Sequence, residues 1–179
     1  MERTIPVSAI DDIQKKYRHT PIEELLAYQN LNRVFDNYKN AKLLIGTCMD
    51  NRISLQIPKN FAFVIRTAGV NLQNLDFNIS YAISVGKLKY IAIIGHDNCG
   101  MVDLPARKDV IINGLIENAG WNRSDATDHY NNYSSQFEIY NEIDFVIKES
   151  KRLQQKFPKI LVAPLMFALN DNKLYQIKI

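Results

Sequence analysis

The stretch Tyr90–His96, with the sequence YIAIIGH, decides the fold class, because a short apolar run of this kind is typical of a buried strand. Two earlier runs have the same character, Lys42–Cys48 (KLLIGTC) and Ala62–Ile65 (AFVI). A fourth run, Ile160–Leu169, is followed by a turn of asparagine and aspartate and then by the terminal segment Lys173–Ile179. The sequence therefore predicts about five strands, and the tight turn makes the last two antiparallel.

Segments with helical spacing of apolar residues alternate with these strands. The capping sequence Thr20–Glu23 begins the first helix, Leu72–Gly86 contains the second, and residues 105–118 form the third. A further helix is predicted within Ser135–Pro158, whereas the polar segment Gly120–Asn132 is predicted to be a loop. The alternation predicts an α/β fold: a mostly parallel central sheet with an antiparallel C-terminal edge strand and helices on both faces.

The N-terminal segment Ile22–Tyr38 is amphipathic and has no obvious place in the core of the predicted sheet. We therefore predict that this N-terminal helix packs on a partner subunit. The protein would then be a homodimer or a higher homo-oligomer.

The composition limits the classes of protein to which the chain can belong. A chain of 179 residues with 46% hydrophobic residues suits one compact domain, and we predict a single domain over residues 1–179. The net charge of +3 comes from 22 basic and 19 acidic residues, which is too even a balance to indicate a nucleic-acid partner. No apolar stretch is long enough to span a membrane, and the N-terminus lacks a signal-peptide core, so we predict a cytoplasmic protein.

Residues that can bind a metal stand at the ends of two predicted strands. Cys48 closes the first strand and His96 the third, and the carboxyl ends of parallel strands meet at one edge of a sheet. Cys99 follows His96 by three residues, a plausible spacing for two ligands of one ion. Two thiolates and one imidazole suit zinc, and three protein ligands leave a fourth position open, as in catalytic sites. Water bound there would lose its proton near neutral pH and become a nucleophile.

Asp50 and Arg52 follow Cys48 closely, and a carboxylate beside a guanidinium stays ionised and held in place. Asp50 could accept a hydrogen bond from zinc-bound hydroxide, or it could bind the zinc itself and close the site. Each residue alone also has a simpler interpretation: a cysteine of the core, a hydrogen-bonded histidine or a surface ion pair. A disulfide between Cys48 and Cys99 is a further alternative, although a cytoplasmic location favours metal binding.

Three motifs resemble those of the β-class carbonic anhydrases, in particular their short archaeal and bacterial branch. They are Cys48–Arg52 (CMDNR), Val64–Gly69 (VIRTAG) and His96–Met101 (HDNCGM), in matching order and spacing. The chain departs from the family pattern at Asn51, where serine is usual, and at Asn98, where aspartate is frequent.

The resemblance implies that zinc binds to Cys48, His96 and Cys99 and that Asp50 and Arg52 form a gating dyad. It also implies a dimer or larger assembly with the active-site cleft at a subunit interface. The implied activity is that of a lyase, the reversible hydration of carbon dioxide to bicarbonate and a proton by zinc-bound hydroxide. Two alternatives stay open: hydrolysis of carbonyl sulfide or carbon disulfide on the same scaffold, and a non-catalytic zinc-containing oligomer or bicarbonate sensor.

Overall fold

The computed structural model describes residues 3–178, so Ile179, the last residue of the predicted terminal strand, lies outside the described chain. The strands are β1 (Thr4–Ile5), β2 (Leu43–Cys48), β3 (Ala62–Thr67), β4 (Tyr90–His96), β5 (Leu161–Ala168) and β6 (Lys173–Ile177). Within residues 3–178 they form one six-stranded sheet in the order β1-β6-β5-β4-β2-β3. Strands β2 to β5 are parallel, and β6 is antiparallel to β5 and β1. The predicted mostly parallel sheet is therefore confirmed.

The helices of the described chain are α1 (Pro21–Asn30), α2 (Asp76–Ser84), α3 (Lys108–Ala119), α4 (Arg123–Phe137) and α5 (Glu142–Lys156). Three of them begin at a polar residue, Thr20, Asn122 or Asn141, whose side chain accepts a hydrogen bond from a backbone N–H two or three residues later. The start predicted for the first helix is confirmed. No helix within residues 3–178 combines the length and the apolar character that crossing a membrane requires.

Helices cover both faces of the sheet, as predicted. On one face, α1 and the N-terminal segment pack against Ile45, Ile94 and Leu165. On the other face, α2 and α5 pack against Leu44 and Ile93. Successive residues along a strand point to opposite faces, so a strand that is buried on both sides has a nearly continuous apolar sequence.

The loop predicted over Gly120–Asn132 is wrong, because most of this segment belongs to helix α4. The buried residues of α4 are Ala126 and Tyr130, which meet Ile112 of α3 in a small cluster apart from the sheet. Two buried positions in a polar helix produce no apolar periodicity, so the sequence pattern indicates a loop.

Two boundaries also differ from the predictions. Ser135 lies inside α4, and the next helix begins only after Asn141, whose side chain caps it. The terminal strand β6 is not the edge of the described sheet, because β1 pairs with it. A two-residue strand such as β1 is too short to show the alternation by which strands are recognised.

Helix α1 packs on the sheet of its own chain. Ile22, Leu25 and Leu26 are fully buried in the cluster that also contains Leu174 of β6. The expectation that this segment has no place in the core is therefore wrong for the helix, whereas its packing on a partner subunit stays a prediction. The rest of the predicted segment, residues 31–38, has no regular structure.

Candidate metal centre

The parallel pairing of β2 and β4 brings the predicted metal ligands together. Thr47 pairs with Ile94, so the last residue of β2, Cys48, and the last residue of β4, His96, lie at the same edge of the sheet. Cys99 returns to this edge through the short turn that follows β4. All three residues are buried, and their ligand atoms lie within 4.8 Å of one another.

The hydrogen bonds of His96 leave one ring nitrogen available to a metal. Nδ1 lies 2.9 Å from the backbone carbonyl oxygen of Asp97, which can only accept a hydrogen bond, so Nδ1 carries the proton. Nε2 therefore has a free lone pair, and within the described chain this buried atom has no hydrogen-bond partner. A metal-binding histidine typically donates its other ring N–H to a carbonyl or carboxylate, as His96 does. The site therefore fits a zinc ion, which nitrogen and sulfur ligands of this kind prefer.

The two thiols lie close together, with their sulfur atoms within 4.8 Å of each other. Both cysteines are free rather than joined in a disulfide. The neighbouring Cys99 thiol lowers the pKa of the Cys48 thiol to about 4, against the opposing effect of burial. The proximity of Cys48, together with burial, raises the pKa of Cys99. Binding of a metal would require both thiols to lose their protons.

Asp50 faces this centre while Arg52 binds its carboxylate. Arg52 donates from Nε to Oδ1 at 2.9 Å and from Nη2 to Oδ2 at 2.6 Å, and its backbone N–H also donates to Oδ1. These bonds hold the pKa of Asp50 well below its usual range. Oδ2 of Asp50 lies 3.9 Å from Nε2 of His96. Asp50 is thus an ionised hydrogen-bond acceptor at the edge of the ligand cluster.

The turn that carries Cys99 also positions Arg52. Nη2 of Arg52 donates to the backbone carbonyl oxygen of Asn98 at 3.0 Å. Asn98 adopts a left-handed backbone conformation, with φ of 54°, which asparagine tolerates better than most residues. Because Asn98 contacts Arg52 through its carbonyl, the departure from the family's aspartate does not remove this contact.

Sequence reasoning assigned no role to Arg66, although this residue holds the loop that carries Asp50. Its guanidinium donates to the carbonyl oxygens of Cys48, Asp50 and Ile53, at distances of 3.4, 3.3 and 3.1 Å. Arg66 lies near the end of β3, the neighbour of β2. Arg66 belongs to the motif VIRTAG, which lies at the end of the strand next to β2. That position is a sequence signal from which this role could have been predicted.

Sequence reasoning also missed Glu142, because this residue lies far along the chain. Its Oε1 accepts a hydrogen bond from the backbone N–H of Cys99 at 3.3 Å. Glu142 lines a small cavity at the ligand cluster together with the apolar residues Val70, Ile139 and Val146. The signal is absent from local sequence, since only the packing of α5 brings these residues to the site.

Comparisons with known proteins agree with this geometry. A family model described as carbonic anhydrase matches residues 43–170. The structure of β-carbonic anhydrase isoform I from the protozoan Trichomonas vaginalis is similar with a TM-score of 0.66 and 19% identity, over 82% of this chain and 88% of that chain. The carbonic anhydrase from Glaciozyma antarctica is similar with a TM-score of 0.61 and 18% identity, over 76% of this chain and 81% of that chain.

The same fold also occurs with a different named substrate. The apo form of a carbon disulfide hydrolase is similar with a TM-score of 0.55 and 18% identity, over 78% of this chain and 79% of that chain. No curated protein sequence matches the chain. The structural likenesses show the fold, whereas the family model covers most of the chain and includes all the predicted ligands.

Proposed function

Since this chain belongs to the β-class carbonic anhydrase family, we propose that it catalyses the reversible hydration of carbon dioxide to bicarbonate and a proton. We further propose that residues 1–179 act as one domain and that one zinc ion binds to Cys48, His96 and Cys99. The observation that carries the proposal is the free lone pair of His96 Nε2, which is buried beside two thiols and 3.9 Å from the Asp50 carboxylate.

The proposed chemistry divides between the ion and the protein. When bound, zinc supplies Lewis acidity, which lets water act as a nucleophile near neutral pH. The Asp50 carboxylate accepts a hydrogen bond from the nucleophilic oxygen and so directs its lone pair toward the carbon of carbon dioxide. The side chains Val70, Ile139 and Val146 make one side of the small cavity at the ligand cluster apolar.

Arg52 acts on the reaction through Asp50. Both oxygens of the Asp50 carboxylate accept hydrogen bonds from Arg52, so Asp50 is kept from taking a coordination position itself. Arg66 supports the same arrangement by fixing the carbonyl groups of the loop from Cys48 to Ile53. The dyad would therefore leave a bound zinc ion accessible to water.

The competing substrates are carbonyl sulfide and carbon disulfide, and a hydrolase of carbon disulfide shares the fold. A stopped-flow assay with carbon dioxide on zinc-loaded protein, with carbonyl sulfide in parallel, separates the two functions. We expect hydration well above the buffer rate. If the protein hydrates carbon dioxide no faster than buffer between about pH 6.5 and pH 9, yet cleaves carbonyl sulfide, the hydrolase replaces the anhydrase.

We also propose that the protein is a homo-oligomer that assembles through the exposed edge of the sheet. Strand β3 is the last strand of the described sheet on this side, with β2 as its neighbour. Large apolar side chains are exposed on β3 and on the adjacent face of α2, namely Phe63, Val64, Phe77 and Tyr81. A cluster of this kind beside a free strand edge is typical of a protein–protein interface. A second copy of the chain can pair with the free strand edge and cover the exposed apolar side chains.

Zinc binding also bears on the location of the protein. The two thiols that would hold the ion must stay reduced, and both cysteines are free in the structure. We therefore propose a cytoplasmic location, because that compartment keeps thiols reduced.

A further inference from the structure

Lysines that are distant in the sequence converge at the amino ends of the parallel strands, at the opposite edge of the sheet from the metal centre. Lys42 directly precedes β2, Lys89 directly precedes β4, and Lys87 lies in the connection from α2 to β4. Since β2 and β4 are neighbours, all three lysines line one cleft of about 550 Å³. A cleft of that size is typical of sites for small molecules.

The charge of this cleft, which we call the lysine cleft, is uncompensated. Lys42, Lys87 and Lys89 are exposed, and none of them forms an ion pair with any residue in the range 3–178. The side chains that line the cleft include no carboxylate from the described chain. Three ammonium groups around one cleft repel each other, so the site favours an anion with more than one negative charge.

The acidic residues that follow Pro21 in the chain have partners of their own. Pro21, at the start of α1, lines the lysine cleft, and Glu23 and Glu24 follow it. Glu23 accepts a hydrogen bond from the backbone N–H of His19, and Glu24 accepts one from the hydroxyl group of Tyr38, both at 2.9 Å. These carboxylates are therefore held by partners other than the lysines.

The connection that carries two of the lysines is tightly built. A Cβ atom on Gly86 would lie 2.5 Å from the carbonyl oxygen of Ala82 and 3.0 Å from the ring of Phe63, so this position requires glycine. Lys87 has a left-handed backbone with φ of 54°, which is uncommon for a residue with a long side chain. Such a conformation is common just beyond the carboxyl end of a helix, which is where Lys87 lies. The lysines thus project from a fixed turn.

We propose that the lysine cleft binds a small molecule that carries a pyrophosphate group, such as a nucleoside diphosphate. Lysine ammonium groups bind phosphate as point charges, and three of them match the charge of a pyrophosphate group. Asn40 adds an amide, and the ring of Tyr90 offers apolar surface to a flat ring of the ligand. The strands that separate this cleft from the metal centre are about 20 Å long, so the anion cannot contact the metal ligands.

A purely structural role for the lysines makes a different prediction. Lys87 and Lys89 follow the carboxyl end of α2, where positive charge offsets the helix dipole. If the lysines had only that role, their replacement would lower the melting temperature of the protein, and the cleft of the native protein would not bind phosphate. It also leaves Lys42 unexplained, because Lys42 precedes a strand and follows no helix end.

Calorimetric titration of the full chain with inorganic pyrophosphate, and separately with ADP, tests the proposal. We expect one binding site per chain. ADP should bind more tightly than inorganic pyrophosphate, because its flat ring can pack on the aromatic surface of the cleft. The Lys42→Gln/Lys89→Gln variant should weaken binding at least tenfold, whereas Lys42→Arg/Lys89→Arg should retain it. Lys148→Gln, which removes an exposed lysine of α5, is the matched control.

The Cys99→Ser variant separates this site from the metal centre, because it should bind pyrophosphate as the native protein does. The single variant Lys42→Gln should still weaken binding if the double variant does not fold. Absence of saturable binding to both anions overturns the proposal. So does unchanged affinity in a folded Lys42→Gln/Lys89→Gln variant, and so does binding that is lost in Cys99→Ser.

Discussion

The guanidinium of Arg52 binds both carboxylate oxygens of Asp50, and one of those oxygens lies 3.9 Å from Nε2 of His96. This arrangement places an ionised carboxylate next to the proposed metal ligands. Both oxygens of that carboxylate accept hydrogen bonds from the arginine. A carboxylate held in this way can orient a neighbouring hydroxyl group without a change in its own charge.

Asp50→Ala should keep its zinc but lower the hydration rate by roughly 10²-fold, because the nucleophile loses its orienting acceptor. Arg52→Ala should also lower the rate, because it frees Asp50 to bind the metal. Metal content and stopped-flow rate should be measured on the same samples. Asn51→Ala, which changes the exposed residue between them, is the control and should keep the native rate. Full zinc together with native turnover in either dyad variant would show that the dyad has no catalytic role.

The hydration rate of the native protein should rise with pH above about 7. Two thiolates formally cancel the charge of Zn²⁺, so water at this site should be less acidic than at a zinc ion held by three imidazoles, where its pKa is about 7. Asp50 should not contribute to this rise, because Arg52 holds its pKa well below the working range. Stopped-flow rates across the neutral and alkaline range provide the measurement. A rate that is constant over that range contradicts the proposed charge of the site.

The purified protein should contain about one zinc ion per chain when it is prepared without chelators. His96→Gln and Cys99→Ser should each lose most of the metal, whereas His129→Gln, at an exposed position of α4, should retain it. Elemental analysis by mass spectrometry measures this independently of activity. Another metal in clear excess, or full zinc in both ligand variants, would refute the assigned ligands.

The native protein should be at least a dimer at micromolar concentration. Phe77 is 82% exposed and Tyr81 is 53% exposed on the face of α2 beside β3, so Phe77→Asp/Tyr81→Asp should dissociate the assembly without unfolding the chain. Light scattering with circular dichroism checks both statements. Tyr140→Asp, at a position that is 89% exposed elsewhere, should leave the assembly intact. A native monomer would contradict assembly altogether.

Asp76→Asn should destabilise the protein by roughly 1 kcal/mol at neutral pH, because Asp76 joins α2 to Arg152 and Lys156 of α5. Burial raises the pKa of Asp76, but the two cations outweigh it and lower the pKa overall. Stability from a lowered pKa is present above about pH 4 and is lost as the pH falls through the folded-state pKa. Urea unfolding at pH 7 and near pH 3 should therefore show a smaller difference in acid. Asp128→Asn, at an exposed position of α4, should change stability little at either pH.

The parallel strands of the sheet were predictable because their signal is local. Strands β2 and β4 are buried on both faces, which requires a nearly continuous apolar run, and such runs are visible in the sequence. Helix α4 was not predictable, because it buries Ala126 and Tyr130 in a small cluster apart from the sheet and is otherwise polar. A helix that depends on one neighbour for its few apolar contacts has little periodicity of its own.

The sequence by itself indicated the candidate metal centre, because Cys48 and His96 end two predicted strands, Cys99 follows His96 closely, and the three residues are a ligand set of the type that zinc prefers. It left open whether Asp50 pairs with Arg52. Only the tertiary structure showed this pairing, and the left-handed turn at Asn98 supports it by bringing a carbonyl group to Arg52 from a different loop. The lysine cleft depends on tertiary structure in the same way, since only strand pairing brings residues so far apart in the chain into one cleft.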